Sequence, residues 1–191
     1  MAFDLEGNWK KGKAFDLHTV SSAHLGVDEY GHDRFDSIRS EMGQLVFELK
    51  YRGNDRALPR IVQLLDAIKG IETFDFIVPI PPTKKNRAYQ PVEMISKALG
   101  ERRGVKVLTK LLVNKGNEEL KGISDPIERL DRLKEALRID EKTDIAGAKV
   151  LLVDDLYRSG STLRIATDLL YTECNAGTVS VLTMTKTRSA R

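Results

Sequence analysis

Lys149-Val150-Leu151-Leu152-Val153-Asp154-Asp155-Leu156-Tyr157-Arg158-Ser159-Gly160-Ser161-Thr162 is the stretch on which the reading of this chain turns. Val150 to Val153 is a continuous apolar run, the pattern of a central strand covered on both faces. Two aspartates then fall at its carboxyl end, the edge at which open α/β sheets bind ligands. Ser159, Gly160, Ser161 and Thr162 follow, directly before a helix expected over Ser161 to Glu173 with Leu163, Ala166 and Leu170 on its inner side. Backbone N–H groups at a helix start, helped by hydroxyls, form a phosphate site. Gly160 lets the backbone approach a ligand or take a positive φ. Carboxylates accept bonds from neighbouring hydroxyls, so the loop suits sugar hydroxyls at one end and a phosphate at the other. A ribose 5-phosphate carries both groups.

Three other readings compete. A nucleotide hydrolase also places Asp after an apolar strand, but it would need a Gly-x-x-x-x-Gly-Lys-Ser/Thr loop, and the chain has none. A response-regulator receiver carries its acidic pair early in the chain and leaves Ser159 to Thr162 unexplained. The bland alternative is a strand ending in solvated aspartates and a helix capped by Ser or Thr. Each half alone would be ordinary; both, in this order, point to a site.

The surrounding pattern from Phe74 onward is strand, loop, helix, strand, which predicts an α/β fold with a mainly parallel sheet flanked by helices. Phe74 to Ile80 is a short apolar strand stopped by Pro81-Pro82, Tyr89 to Arg102 a helix, Val105 to Leu108 a strand and Thr178 to Thr183 another. The stretch from Lys115 to Asp140 interrupts the alternation. Its first part is polar and aperiodic, and a mobile loop is expected over about 113–124. Asp125-Pro126-Ile127-Glu128 reads as a capped helix start. Residues 1–70 differ in character: Trp9 to Val20 reads as an exposed hairpin, Phe35 to Tyr51 and Leu58 to Ile68 as helices. They are expected to form a hood packed on a core of residues 71–191.

Composition fits one soluble domain: 191 residues, 41% hydrophobic, 31% charged, net charge +3. That charge is too mild to argue for nucleic acid by itself. No apolar run approaches the roughly 18 residues needed to span a bilayer, and the N-terminus lacks a secretory layout, so no membrane partner and a cytoplasmic location are expected. One cysteine, Cys174, excludes an intramolecular disulfide.

A second segment adds chemistry. Val78-Pro79-Ile80-Pro81-Pro82 ends a strand, and Lys84, Lys85 and Arg87 follow in a loop before a helix. Such cations can bind a diphosphate and stabilise it as a leaving group; otherwise they form a solvated turn.

Val150 to Leu163 resembles the signature for 5-phosphoribosyl-1-pyrophosphate (PRPP) of type I phosphoribosyltransferases, with Ser159 in place of the usual Thr and a bulkier Tyr157-Arg158. Phe47 to Gly53, Arg87-Ala88-Tyr89-Gln90-Pro91-Val92-Glu93 and Leu120 to Arg129 resemble segments of the ComF family, the competence-associated members of that class. Arg87, Tyr89 and Glu93 fit its pattern; Ala88, Gln90 and Pro91 depart from it. The resemblance covers roughly Leu45 to Thr185 and excludes the N-terminus, where many relatives carry a four-cysteine zinc finger.

The resemblance implies a type I phosphoribosyltransferase fold and transfer of phosphoribose from PRPP to an acceptor, a base or an amine, with release of pyrophosphate. Asp154 and Asp155 would be the catalytic pair on the ribose hydroxyls. Arg158, Ser159, Gly160, Ser161 and Thr162 would cradle the 5-phosphate, and Lys84, Lys85 and Arg87 the pyrophosphate. Mg2+ would arrive with PRPP rather than on protein ligands, and Val113 to Gly122 would serve as a lid. The alternative is a non-catalytic PRPP- or nucleotide-sensing protein, or a competence-type protein that handles single-stranded DNA. A homodimer is compatible with either.

The remaining candidates are weaker. His18, His24 and His32 could join Asp28 or Glu29 at a metal, but nothing sets ligand geometry. Cys174 reads as a small semi-buried residue late in a helix. Trp9 and Phe15 read as packing residues rather than a stacking platform.

Overall fold

Alternate residues of the apolar run turn to opposite sides, and each side has its own core. Val150 and Leu152 pack with Leu163, Ala166 and Leu170. Leu151 and Val153 pack with Met42, Val46, Ile61, Ile95 and Leu99. A strand buried on both faces needs no polar alternation, which is why the run is unbroken.

The computed structural model describes residues 2–83, 89–116, 126–140 and 143–188, without the side chains of Phe35 and residues 126–130. In chain order come strands β1 (Phe3–Asp4), β2 (Lys11–Leu17), β3 (Thr19–Val27) and β4 (Asp33–Arg39). Helix α1 (Glu41–Phe47) widens into a π-helical turn, Glu48–Arg52, and α2 (Ala57–Leu64) follows. Next are β5 (Phe76–Pro79), α3 (Pro91–Arg103), β6 (Lys106–Val107), β7 (Leu112–Asn114) and α4 (Pro126–Ala136). The series ends with β8 (Leu137–Ile139), β9 (Lys149–Tyr157), α5 (Ser161–Thr172) and β10 (Thr178–Lys186).

The main sheet has the order β1-β2-β10-β9-β5-β6. Its pairs are parallel except β1 on β2, which is antiparallel. Helices cover both faces, so the expected α/β architecture with a mainly parallel sheet is present. β3 with β4, and β7 with β8, form separate two-stranded ribbons. Among the described residues, no helix is long and apolar enough to cross a membrane.

The first 50 residues differ from the sequence expectation. Trp9 to Val20 is not an exposed hairpin: β2 lies within the sheet, parallel to β10, and Trp9 is only 7% exposed. The Trp9 indole donates to the Leu5 carbonyl at 2.8 Å. Gly7 and Gly12 leave room for its ring, since a Cβ at either would come within 2.4 Å of it. The exposed hairpin is the next segment, β3–β4. It occupies part of the helix expected from Phe35, and the true helix start is Ser40, whose Oγ accepts from the Gly43 N–H at 3.0 Å. Asp33 to Arg39 carries alternating charges that a helix and an exposed strand tolerate equally, so the pattern left the choice to tertiary structure. Elsewhere, Val113 and Asn114 belong to β7, Pro126 opens α4, and Asp125 lies outside the described residues.

Candidate functional site

β5 runs through α3 to its neighbour β6, while β9 runs through α5 to its neighbour β10. The two connections leave in opposite directions, so a crevice opens beyond the carboxyl ends of β5 and β9. The β5–β9 pairing stops at Pro79 opposite Val153, whereas β9 continues beside β10 as far as Tyr157 opposite Lys186. Asp154 and Asp155 are therefore the first residues of β9 past its β5 partner. They sit within the strand rather than after it. A cleft of about 490 Å³ begins there, with Asp154, Asp155, Arg158 and Thr162 on one wall and Pro81, Pro82, Thr83 and Gln90 on the other.

The two carboxylates have different surroundings. Asp154 is half-buried and accepts the Asp155 N–H at 2.8 Å. Burial, and then the neighbouring Asp155 charge, push its pKa well above the usual carboxylate range. Asp155 is 8% exposed, forms an ion pair with Lys50, and accepts at its carbonyl from the Thr185 hydroxyl at 3.1 Å. One aspartate is thus biased toward the acid form and the other is held by a cation.

The sequence marks Lys50 only as part of the Phe47–Gly53 segment. Its position follows from the π-helical turn. The Ser40 cap starts α1, and Gly53, at φ 62°, ends the turn. One residue inserted into the helical ladder re-aims the side chains that follow, and Lys50 and Tyr51 come to line the cleft. Tyr51 leans on Phe47 at 5.1 Å between centroids, and the Arg39 guanidinium covers Phe47 at 4.0 Å.

The loop after β9 holds its shape through Gly160, at φ 76°. A Cβ there would fall 2.7 Å from the Tyr157 ring. Tyr157 in turn meets Trp9 edge-on, with centroids 6.4 Å apart. Its bulk is therefore spent on packing beneath the loop rather than inside the cleft. The Ser159 and Ser161 hydroxyls lie 3.0 Å apart, and the N-cap Gly160 brings no side-chain acceptor to the first turn of α5. Ser159, Gly160 and Ser161 adjoin the cleft without being part of its lining. Gly160→Ala would force an L residue into left-handed geometry, a cost of roughly 1–2 kcal/mol, besides crowding Tyr157. Urea denaturation should show a loss of at least that size.

Lys84, Lys85 and Arg87 lie outside the described residues, as does most of the expected lid. Thr83, directly before the basic loop, and Gln90, shortly after it, both line the cleft. The three histidines do not converge: His24 pairs with Asp33 at 2.9 Å and His32 with Asp28 at 3.5 Å, while His18 faces Thr185. Cys174 is half-buried, and burial, then Glu173, push its thiol pKa up.

No protein-family model matches the chain, and no curated protein matches it. Solved structures do resemble it in fold. Adenine phosphoribosyltransferase from Thermoanaerobacter pseudethanolicus is 18% identical with a TM-score of 0.48, over 79% of this chain and 77% of that one. Trypanosoma cruzi hypoxanthine phosphoribosyltransferase is 14% identical with a TM-score of 0.42, over 79% and 67%. Orotate phosphoribosyltransferase from Aeropyrum pernix is 11% identical with a TM-score of 0.41, over 85% and 71%.

Proposed function

We propose that this protein binds PRPP in the cleft beyond β5 and β9 and transfers phosphoribose to an acceptor, with release of pyrophosphate. The observation that carries the reading is the pair Asp154–Asp155 just past the last β5 pairing, on the wall that also bears Arg158 and Thr162. In this reading the aspartates accept from the ribose hydroxyls, and the loop from Arg158 to Thr162 receives the 5-phosphate at the start of α5. Lys84, Lys85 and Arg87 would meet the pyrophosphate. The chain needs no covalent nucleophile: it orients the ribose and stabilises charge on the departing diphosphate.

Mg2+ would come with the ligand. Among the described residues no group of three or more His, Cys, Asp or Glu side chains gathers to hold a metal ion. When bound, it would neutralise diphosphate charge.

Two of the segments on which the likeness to the ComF family rests meet in the fold. Gly53 and Tyr89 belong to two of the segments that carry it, and the Tyr89 ring lies so close to Gly53 that a Cβ there would be 2.8 Å away. Lys50, Tyr51, Gln90 and Glu93 from the same segments all line the cleft.

Calorimetric titration with Mg-PRPP tests the ligand. Saturable binding is expected, and indifference to Mg-PRPP would sink the proposal. A panel of bases and amines, read by pyrophosphate release, then identifies the acceptor.

A further inference from the structure

His18 is not part of the cleft described so far. It follows β2 directly, and β2 runs parallel to β10 and β9, so it stands at the same carboxyl edge of the sheet as Asp154 and Asp155. Its backbone is fixed from three directions. The His18 N–H donates to the Lys186 carbonyl at 2.8 Å. Ser40 donates to the carbonyl of Leu17 just before it. Gly43 of α1 lies flush against it, since a Cβ there would be 2.3 Å from the His18 carbonyl oxygen.

The ring then enters a chain of hydrogen bonds. His18 Nδ1 is 3.2 Å from Thr185 Oγ1, and that hydroxyl donates to the Asp155 carbonyl. A hydroxyl has a single proton. With that proton on Asp155, Thr185 must accept from His18. Nδ1 therefore carries the proton, and Nε2 is the basic atom left over.

Charge on this ring is disfavoured in the free protein. Burial lowers its pKa first, and Arg39 of β4, Lys50 of the π-helical turn and Arg158 after β9 lower it further; Asp155 alone opposes them. His18 is thus neutral at neutral pH, in the tautomer that holds Thr185. A polyanion in the cleft would neutralise Lys50 and Arg158, and the pKa would rise.

We propose that His18 is a positioning residue for the carboxylate end of the cleft: Nδ1–H holds Asp155 in place through Thr185, and Nε2 takes up a proton when a polyanionic ligand binds. This rests on the reading of the cleft as a PRPP site. The sign follows from linkage. The liganded protein binds more protons than the free one, so affinity rises as pH falls through the window between the lowered free value and the raised liganded value.

Two variants separate the two parts. His18→Asn keeps an N–H donor near the position of Nδ1 but cannot titrate; His18→Phe loses both properties. Calorimetry with Mg-PRPP, run at about pH 6 and about pH 8 in buffers of unequal ionisation heat, counts the protons exchanged. The ligand's own phosphates contribute equally to wild type and variants, so the difference isolates the histidine. Wild type should take up more protons than His18→Asn at the lower pH, and equal uptake would overturn the proposal. At the higher pH, His18→Asn should bind within roughly twofold of wild type and His18→Phe roughly fivefold more weakly, the size of one neutral hydrogen bond. A His18→Phe protein that binds like wild type refutes the positioning role. Nitrogen-15 NMR of the free protein should find neutral His18 protonated at Nδ1, and protonation at Nε2 would contradict the geometry. A wild type that binds no Mg-PRPP refutes the ligand reading itself, whereas binding without excess proton uptake refutes only the role of His18.

Discussion

Asp154→Asn/Asp155→Asn is expected to weaken Mg-PRPP binding by about 2–4 kcal/mol, the worth of one or two charge-assisted hydrogen bonds of roughly 1.5–3 kcal/mol each. Titration calorimetry reads this directly, and equal affinity in both proteins would refute the site assignment. The variant should still fold, because the cleft is lined by both residues and the apolar core ends at Val153. Asp154 adds a second, opposite effect. Its pKa is raised in the folded chain, first by burial and then by Asp155. The fold therefore favours the acid form, and the stability this gives is complete below the ordinary carboxylate value and lost as pH rises through the raised one. Asparagine does not titrate. Asp154→Asn alone should then melt above wild type at neutral pH without ligand, with the gap closing toward acid pH. A site residue that binds substrate at the expense of stability behaves in this way.

Trp9→Ala should destabilise the protein by about 3–5 kcal/mol, the range for removing a buried aromatic side chain. The indole is buried, its N–H is bonded to Leu5, and two glycines leave it no slack. Arg164 of α5 lies 5.3 Å from the indole centroid and donates to the Glu6 carbonyl at 2.8 Å. Asn8 reaches the same helix through the Arg164 carbonyl and Asp168. The N-terminal residues thus clamp α5, and Tyr157 rests edge-on against Trp9 beneath Gly160. Urea unfolding should show the loss, and ligand binding should weaken with it through the loop. A change below about 1 kcal/mol would mean that the pocket collapses around alanine without loss of packing.

What could be read from the sequence divides by distance along the chain. The β9 strand, α5 and β5 each carry a local signature, an apolar run or a helical stripe bounded by proline or glycine, and each formed close to where it was expected, although β9 runs on through its two aspartates to Tyr157. Ser40 was readable in principle, as a serine three residues before Gly43, but the alternating charges of Asp33 to Arg39 fitted a helix equally well. The role of Trp9 and β2 had no local mark. Gly12 and Ala14 look like weak strand residues until β10 arrives on one side and the indole on the other. Lys50 required the π-helical turn to aim it. His18 was hidden most deeply, since its partner Thr185 and the carbonyl beyond it lie near the opposite end of the chain.

The pairing of β2 with β10 also constrains the order of assembly. Lys11 finds its partner in Ser180, and Leu17 in Lys186, contacts of very high sequence separation, whose loop-closure entropy must be met before they contribute stability. During synthesis β2 has only the two-residue β1 to pair with until almost the whole sheet has been made. The edge that carries His18 is therefore the last part of the sheet to form, and the cleft stays incomplete on every nascent chain that has not yet reached β10. Kinetically, the proposed affinity for Mg-PRPP should appear only in the final folding phase, after the helices have already formed.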